Sequence, residues 1–205
     1  MSLPILYSFR RCPYAMRARM SLLKSDIKVE LREVLLRDRP DHMMEISPKG
    51  TVPVLLLADG TVIEESLDIM LWGLDESWLV GDWKELIDGN DGEFKYHLDR
   101  YKYNNRYENP LAPEEHRNEV VKFLEMYNQR LNNTRYLCGD ECSIADLALA
   151  PFVRQFANTN RPWFDGLAYP HLHQWLSSIL ESDLFANCMV KHDQWEEGQE
   201  PIYFG

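Results

Sequence analysis

Cys12 stands where an apolar run gives way to a helical pattern, in Tyr7-Ser8-Phe9-Arg10-Arg11-Cys12-Pro13-Tyr14-Ala15-Met16-Arg17, with a proline directly after it. Proline suits the first turn of a helix, where its missing N–H would have no intrahelical partner. The Cys12 sulfur is therefore expected to face unpaired backbone N–H groups and the positive end of the helix dipole. Arg10, Arg11 and Arg17 lie close in sequence and add positive potential. Both effects favour the thiolate, which is the nucleophilic form. The alternative is a cysteine that merely packs under the helix, as buried cysteines often do. It accounts less well for the proline and the basic neighbours.

The fourth position of the motif narrows the chemistry. An internal dithiol needs Cys-x-x-Cys, and here Ala15 takes the second place. A mixed disulfide at Cys12 must then be resolved by another thiol, most simply a small soluble one. Of the other cysteines, Cys138 and Cys142 have no neighbouring histidine or further cysteine of zinc-site spacing, and the six histidines form no metal spacing either. No metal is expected.

The elements that must position Cys12 follow from periodicity. Leu3–Phe9 reads as a strand and Pro13–Lys24 as an amphipathic helix, with Met16, Met20 and Leu23 on one face and Arg17, Arg19 and Lys24 at polar positions. Ile27, Val29 and Leu31 alternate with charged residues as in a second strand. Asp41–Ile46 is a short helical candidate. Val52–Leu57 and Val62–Glu65 flank Asp59-Gly60, a hairpin signal, and Ser66 is placed to cap a helix over Leu67–Leu74. The order β-α-β-α-β-β-α favours a parallel pair with a right-handed crossover. Pro53 would suit an edge or a cis turn.

After Asp75 no strong strand pattern returns. Helices are expected near Glu93–Tyr107, Pro113–Asn132, Ser143–Ala157 and Pro170–Ser182, with the glycine-bearing stretch Trp78–Gly92 as the connection between domains. Ser143-Ile144-Ala145-Asp146 resembles a capping box, and the all-apolar run after it points to a central helix that Pro151 should kink or loosen.

The chain has 205 residues and a net charge of −11, which argues against nucleic-acid or anionic-membrane partners. Through Arg39, however, nine Lys/Arg stand against four Asp/Glu, so an anionic ligand is better received near Cys12 than elsewhere. No apolar run reaches membrane-helix length, no secretory leader is expected, and four scattered cysteines suit a reducing cytoplasm.

The succession Cys-Pro-Tyr-Ala, Val52-Pro53, Glu65-Ser66 and Ser-x-x-Asp resembles the cytosolic glutathione transferase superfamily over essentially the whole chain. It is most similar to the omega-like, cysteine-type classes, and also resembles the two-domain glutaredoxins, from which Ala15 departs. The resemblance implies a fold of α/β plus all-α character: a thioredoxin-like domain over residues 1–77 and a helical bundle over 85–205. It implies that Val52 offers its backbone to the cysteinyl unit of glutathione, with Pro53 as the cis-proline exposing that edge. Glu65 and Ser66 would hold the γ-glutamyl end, Arg39 (and more weakly Lys49) the glycyl carboxylate. Tyr14 joins the glutathione-binding set, and Tyr103 and Tyr107 are candidates for a second-substrate pocket, on one helical face with Tyr96 and with Arg100 between them. Ser143 and Asp146 are assigned to folding. The implied activity is glutathione-dependent thiol transfer or reduction through Cys12, with glutathione as co-substrate, a small electrophile or disulfide as partner, and a cytoplasmic homodimer as the form. The alternatives are conventional conjugation assisted by a hydroxyl such as Tyr14 or Ser8, with Tyr7 also near, and a non-catalytic binding module.

Overall fold

The computed structural model describes residues 2–108 and 111–205, and it divides the chain into two compact units, Met1–Ser77 with Glu181–Gly205 and Trp78–Leu180. The segment 181–205, expected within the second domain, thus belongs with the first. The physical reason lies in its residues. Ile202–Phe204 forms a strand, β5, and Phe204 buries itself in the same apolar cluster as Leu6, Val29 and Leu31.

The first unit is built as its alternation dictates. β1 (Ile5–Ser8) runs parallel to β2 (Val29–Glu33) and antiparallel to β3 (Val54–Leu56), which pairs with β4 (Val62–Ile63). With β5 antiparallel to β2, the sheet order is β4-β3-β1-β2-β5. Leu6, Val29, Leu31 and Leu55 cluster with Ala18 and Leu22 of α1 (Pro13–Lys24) and Ile69 of α3 (Ser66–Gly73). Tyr7 and Val54, of opposite parity, cluster with Met43 of α2 (Asp41–Ile46). The order expected for this half is the one observed, with β5 as an addition.

One expectation about α1 fails. Arg17 and Arg19 were assigned to a polar face, yet both are fully buried. Arg19 is ion-paired with Glu33 and donates to Ser8 Oγ at 2.8 Å, and Arg17 reaches Ser66 Oγ at 3.5 Å. Partners from neighbouring elements override the periodicity.

The second unit is helical. The expected connection Trp78–Gly92 contains α4 (Trp83–Gly89), which passes through a π turn at Asn90–Phe94 directly into α5 (Lys95–Lys102). Its glycines did not break it because Leu86, Ile87, Phe94 and Leu98 are buried along one side. α6 (Pro113–Leu131), α7 (Ile144–Ala157), α8 (Arg161–Asp165) and α9 (Pro170–Leu180) complete this unit, while α10 (Asp183–Cys188) packs on α1 in the first. α7 continues through Pro151, and the expected Ser143–Asp146 capping box is present at its start. Among the described residues, no helix is long and apolar enough to cross a membrane.

Between α5 and α6 the rings of His97 and His116 meet Nδ1 to Nδ1 at 2.7 Å, so the contact holds one shared proton and not two. Burial holds His116 below its usual 6.5, helped by His97 and Arg100 and opposed by Glu115 and Glu119. Burial and Arg19 act the same way on His192 in the first unit. Both groups are depressed in the folded state. Their contribution is therefore fully present above pH 6.5 and is lost as the pH falls through the folded values. Urea unfolding at a series of pH values should show stability falling from pH 7.5 to 5. A His116→Leu variant should show a shallower slope, and an equal slope would contradict the assignment.

Candidate functional site

The loop after β1 turns tightly, with the Cys12 N–H bonded to Phe9 O at 2.9 Å, and delivers Cys12 to the N-cap of α1 in extended geometry. Pro13 takes the first helical position and is buried, whereas Cys12 is half-buried. The Cys12 Oxygen accepts from Met16 N at 2.9 Å, closing the first turn. The thiol therefore sits at a helix start that no side-chain cap blocks.

The Cys12 sulfur lies 3.7 Å from Val52 O, as a thiol donating to a carbonyl does. The Val52–Pro53 bond is cis, and both residues are buried. Two sequence-separated motifs thus converge on one point of the first unit. Ser66 opens α3 and is 4 % exposed, with the buried Arg17 guanidinium on its hydroxyl. The same guanidinium carbon stands 5.4 Å from the centre of the Tyr14 ring. Arg17 is a residue whose place the sequence reading missed. The available signal is its position one turn into the Cys12 helix, which the sequence reading uses for positive potential and for the polar face and not for a contact with Ser66.

The remaining expected site residues are placed differently. Glu65 is exposed and carries Lys49 on its carboxylate at 2.5 Å, a contact that raises the lysine above its ordinary value. Arg39 donates its Nε to Gly50 O at 2.5 Å. Gly50 has φ of 61°, and an added Cβ there would stand 3.1 Å from the Arg39 Nε. A side chain at residue 50 would therefore disturb the arginine as well as the backbone. Lys49 and Arg39 thus bear on the segment that leads to Val52.

The hydroxyls near Cys12 are already occupied. Tyr7 is fully buried, lies 2.5 Å from His42 Nδ1, and accepts from Arg32 at 2.6 Å. Burial pushes its phenol above 10.0, although Arg32 pulls the other way. Ser8 is fully buried and accepts from Arg19.

In the second unit, Tyr103 and Tyr107 do not share a helical face, because α5 ends at Lys102 and Asn104–Arg106 forms a single 3₁₀ turn. The helix expected over Glu93–Tyr107 is thus shorter at its C-terminal end. Arg100 instead stacks between Tyr96 and Tyr107, its guanidinium carbon 3.4 and 4.5 Å from the two ring centres, and Arg106 covers Tyr103 at 4.2 Å.

Comparison with known proteins agrees with the two-part fold. The profile of the glutathione S-transferase N-terminal domain matches residues 6–77, and that of the C-terminal domain matches 92–183. A probable glutathione S-transferase, parA, of Nicotiana tabacum is 26% identical over 196 residues, covering 87% of this chain and 86% of its own length. Glutathione S-transferase omega-1 of Mus musculus is 37% identical over 73 residues, covering 36% of this chain and 30% of its own. Among solved structures, glutathione transferase Omega 3C from Trametes versicolor superposes with a TM-score of 0.78 at 20% identity, over 95% of this chain and 92% of that one. With both domain profiles matched in order and the thioredoxin-like sheet followed by its helical partner, the chain belongs to the glutathione S-transferase family.

Proposed function

We propose that the protein is a cysteine-type, omega-like glutathione transferase that moves thiol groups through a mixed disulfide at Cys12. The observation that carries this reading is the placement of the Cys12 sulfur at the open start of α1, 3.7 Å from the carbonyl of Val52. A glutathione whose cysteinyl backbone pairs with Val52, as an added strand, would bring its sulfur to Cys12. The rival, hydroxyl-assisted conjugation, is disfavoured because Tyr7 and Ser8 are spent on Arg32 and Arg19, leaving Tyr14 as its candidate.

The reaction proceeds in two exchanges. Cys12 thiolate attacks the glutathione sulfur of a mixed disulfide, the old S–S bond breaks, and the partner leaves as a thiolate that takes up a proton. A second glutathione thiolate then attacks the glutathionyl sulfur on Cys12, releasing oxidised glutathione and restoring the Cys12 thiolate. Each step exchanges one S–S bond for another, so no metal or further oxidant enters. Ser66 and the start of α3 hold the γ-glutamyl carboxylate, Glu65 the ammonium group, and Arg39 the glycyl carboxylate. Tyr103 and Tyr107 are the proposed lining for the second substrate, and the working form is a cytoplasmic homodimer.

Intact mass after incubation with oxidised glutathione tests the reading, with wild type and Cys12→Ala in parallel. One glutathione adduct confined to wild type supports it. Glutathione binding without an adduct turns the assignment toward conjugation. A Ser66→Ala variant should raise KM for glutathione about tenfold or more with kcat little changed, since it removes a hydrogen bond to a charged group made in ground and transition state alike. Initial rates over a glutathione series check this.

A further inference from the structure

The Cys12 loop is held from behind by a buried node that no site assignment includes. Glu33, at the end of β2, is 7 % exposed. Its Oε1 accepts the backbone N–H of Arg10 at 2.8 Å, two residues before Cys12. Its Oε2 is ion-paired with Arg19, whose side chain is wholly buried. Arg19 also donates to Ser8 Oγ at 2.8 Å and to Cys188 O at 3.0 Å. One carboxylate thereby ties the loop to the end of β1, the body of α1 and the end of α10.

The segment from Met189 to Phe204 closes around this node. Trp195 N–H donates to Glu33 O at 2.8 Å. The Arg10 guanidinium donates to Met189 O at 3.3 Å. The Arg19 guanidinium carbon lies 5.6 Å from the centre of the Phe204 ring, and β5 pairs with the strand that carries Glu33. Met189 thus bears on Arg10, Trp195 on Glu33, and Cys188 and Phe204 on Arg19, and all of them lie in the first unit.

We propose that Glu33 is a positioning residue for Cys12, and that the segment from Met189 to Phe204 is the brace that keeps Glu33 in place. The inference rests on Cys12 being the reacting thiol, as in the reading above. A helix start favours a thiolate only while the sulfur stays on the helix axis, because the effect fades beyond the first turn. The two backbone anchors of the loop are Arg10 N–H on Glu33 and Cys12 N–H on Phe9 O. Release of the first frees the loop to carry the sulfur away from that position.

The test compares full-length wild type, Glu33→Gln and Trp195→Pro by iodoacetamide alkylation across pH 5 to 9, with each cysteine followed by peptide mass. Glu33→Gln removes the charge that Arg19 requires. Trp195→Pro leaves Glu33 intact and removes the N–H on its carbonyl together with the indole ring over Arg32, and Trp195→Phe, which keeps the N–H and an aromatic ring, is the control. Urea unfolding of each variant identifies the conditions under which it is folded. The expected result is that Cys12 alkylates about fivefold or more slowly at neutral pH in both variants, or that its pH midpoint rises, while Cys138 and Cys142 react as in wild type. If folded Glu33→Gln or Trp195→Pro alkylates Cys12 within twofold of wild type with an unmoved midpoint, Glu33 is a stabilising residue only and the proposal is overturned. Should Glu33→Gln not fold, Trp195→Pro decides alone. A wild type that alkylates Cys12 readily yet takes no glutathione defeats the thiol-transfer reading and leaves this comparison intact.

Discussion

Replacing Cys12 with serine is expected to lower glutathione-dependent thiol transfer at least about a hundredfold while glutathione still binds. A hydroxyl has no useful anion fraction at neutral pH and forms no disulfide, so the first exchange loses its nucleophile. Binding is expected to survive because the proposed anchoring groups lie elsewhere: the backbone at Val52, the start of α3 at Ser66, and Arg39 near Gly50. The fold survives because Cys12 is half-buried and its backbone contacts, its N–H to Phe9 O and its C=O from Met16 N–H, are independent of the side chain. Serine is moreover a favourable residue at an N-cap. The check is a coupled assay on a glutathionyl mixed disulfide together with calorimetry of glutathione binding. Activity within tenfold of wild type would remove Cys12 from the mechanism. Full activity in conjugation alone would move the burden to a hydroxyl.

The largest expected loss of stability lies far from that chemistry, at Asp146. Its side chain is fully buried at the start of α7. One carboxylate oxygen accepts Leu137 N–H at 2.9 Å and Trp175 Nε1–H at 2.8 Å; the other accepts Ser143 N–H at 2.9 Å and Ser143 Oγ at 2.8 Å. Asp146→Ala leaves these donors without acceptors in a dry interior, together with a cavity. The expected cost is on the order of 3–5 kcal/mol. Asp146→Asn keeps one oxygen but turns an amide N–H₂ toward Ser143 N–H, so it should lose most of the same stability. Urea midpoints of the two variants measure this. A loss under about 1 kcal/mol in the alanine variant would show that water replaces the carboxylate.

What was legible in the sequence follows the range of the forces involved. The strand–Cys12-Pro13–helix unit, the Asp59-Gly60 hairpin and the Ser143–Asp146 box are set by local backbone chemistry, and each stands where periodicity and capping placed it. Val52 and Pro53 reach Cys12 through the resemblance, since no local rule brings residue 52 to residue 12. The failures are tertiary. Arg17 and Arg19 read as a solvent face until Ser66 and Glu33 supply partners from other elements. The glycines of 81–92 read as a connection until burial of Leu86 and Phe94 holds a helix through them. The tail aromatics carried no periodic signal at all, because Trp195 is placed by Arg32 and the Glu33 backbone, and Phe204 by β2.

β5 gives the sheet an unusual order of completion. Val29 near the beginning of the chain pairs with Phe204 near its end. As a ribosome delivers the chain, the β1–β2 pair can form early, and the outer edge of β2 then stays bare until residues 202–204 emerge. Contacts of such sequence separation form slowly, and an uncovered strand edge is a template for pairing with another molecule. Chains that lack residues 202–204 should thus be the aggregation-prone species of this protein, with the edge of β2 protected once β5 has paired.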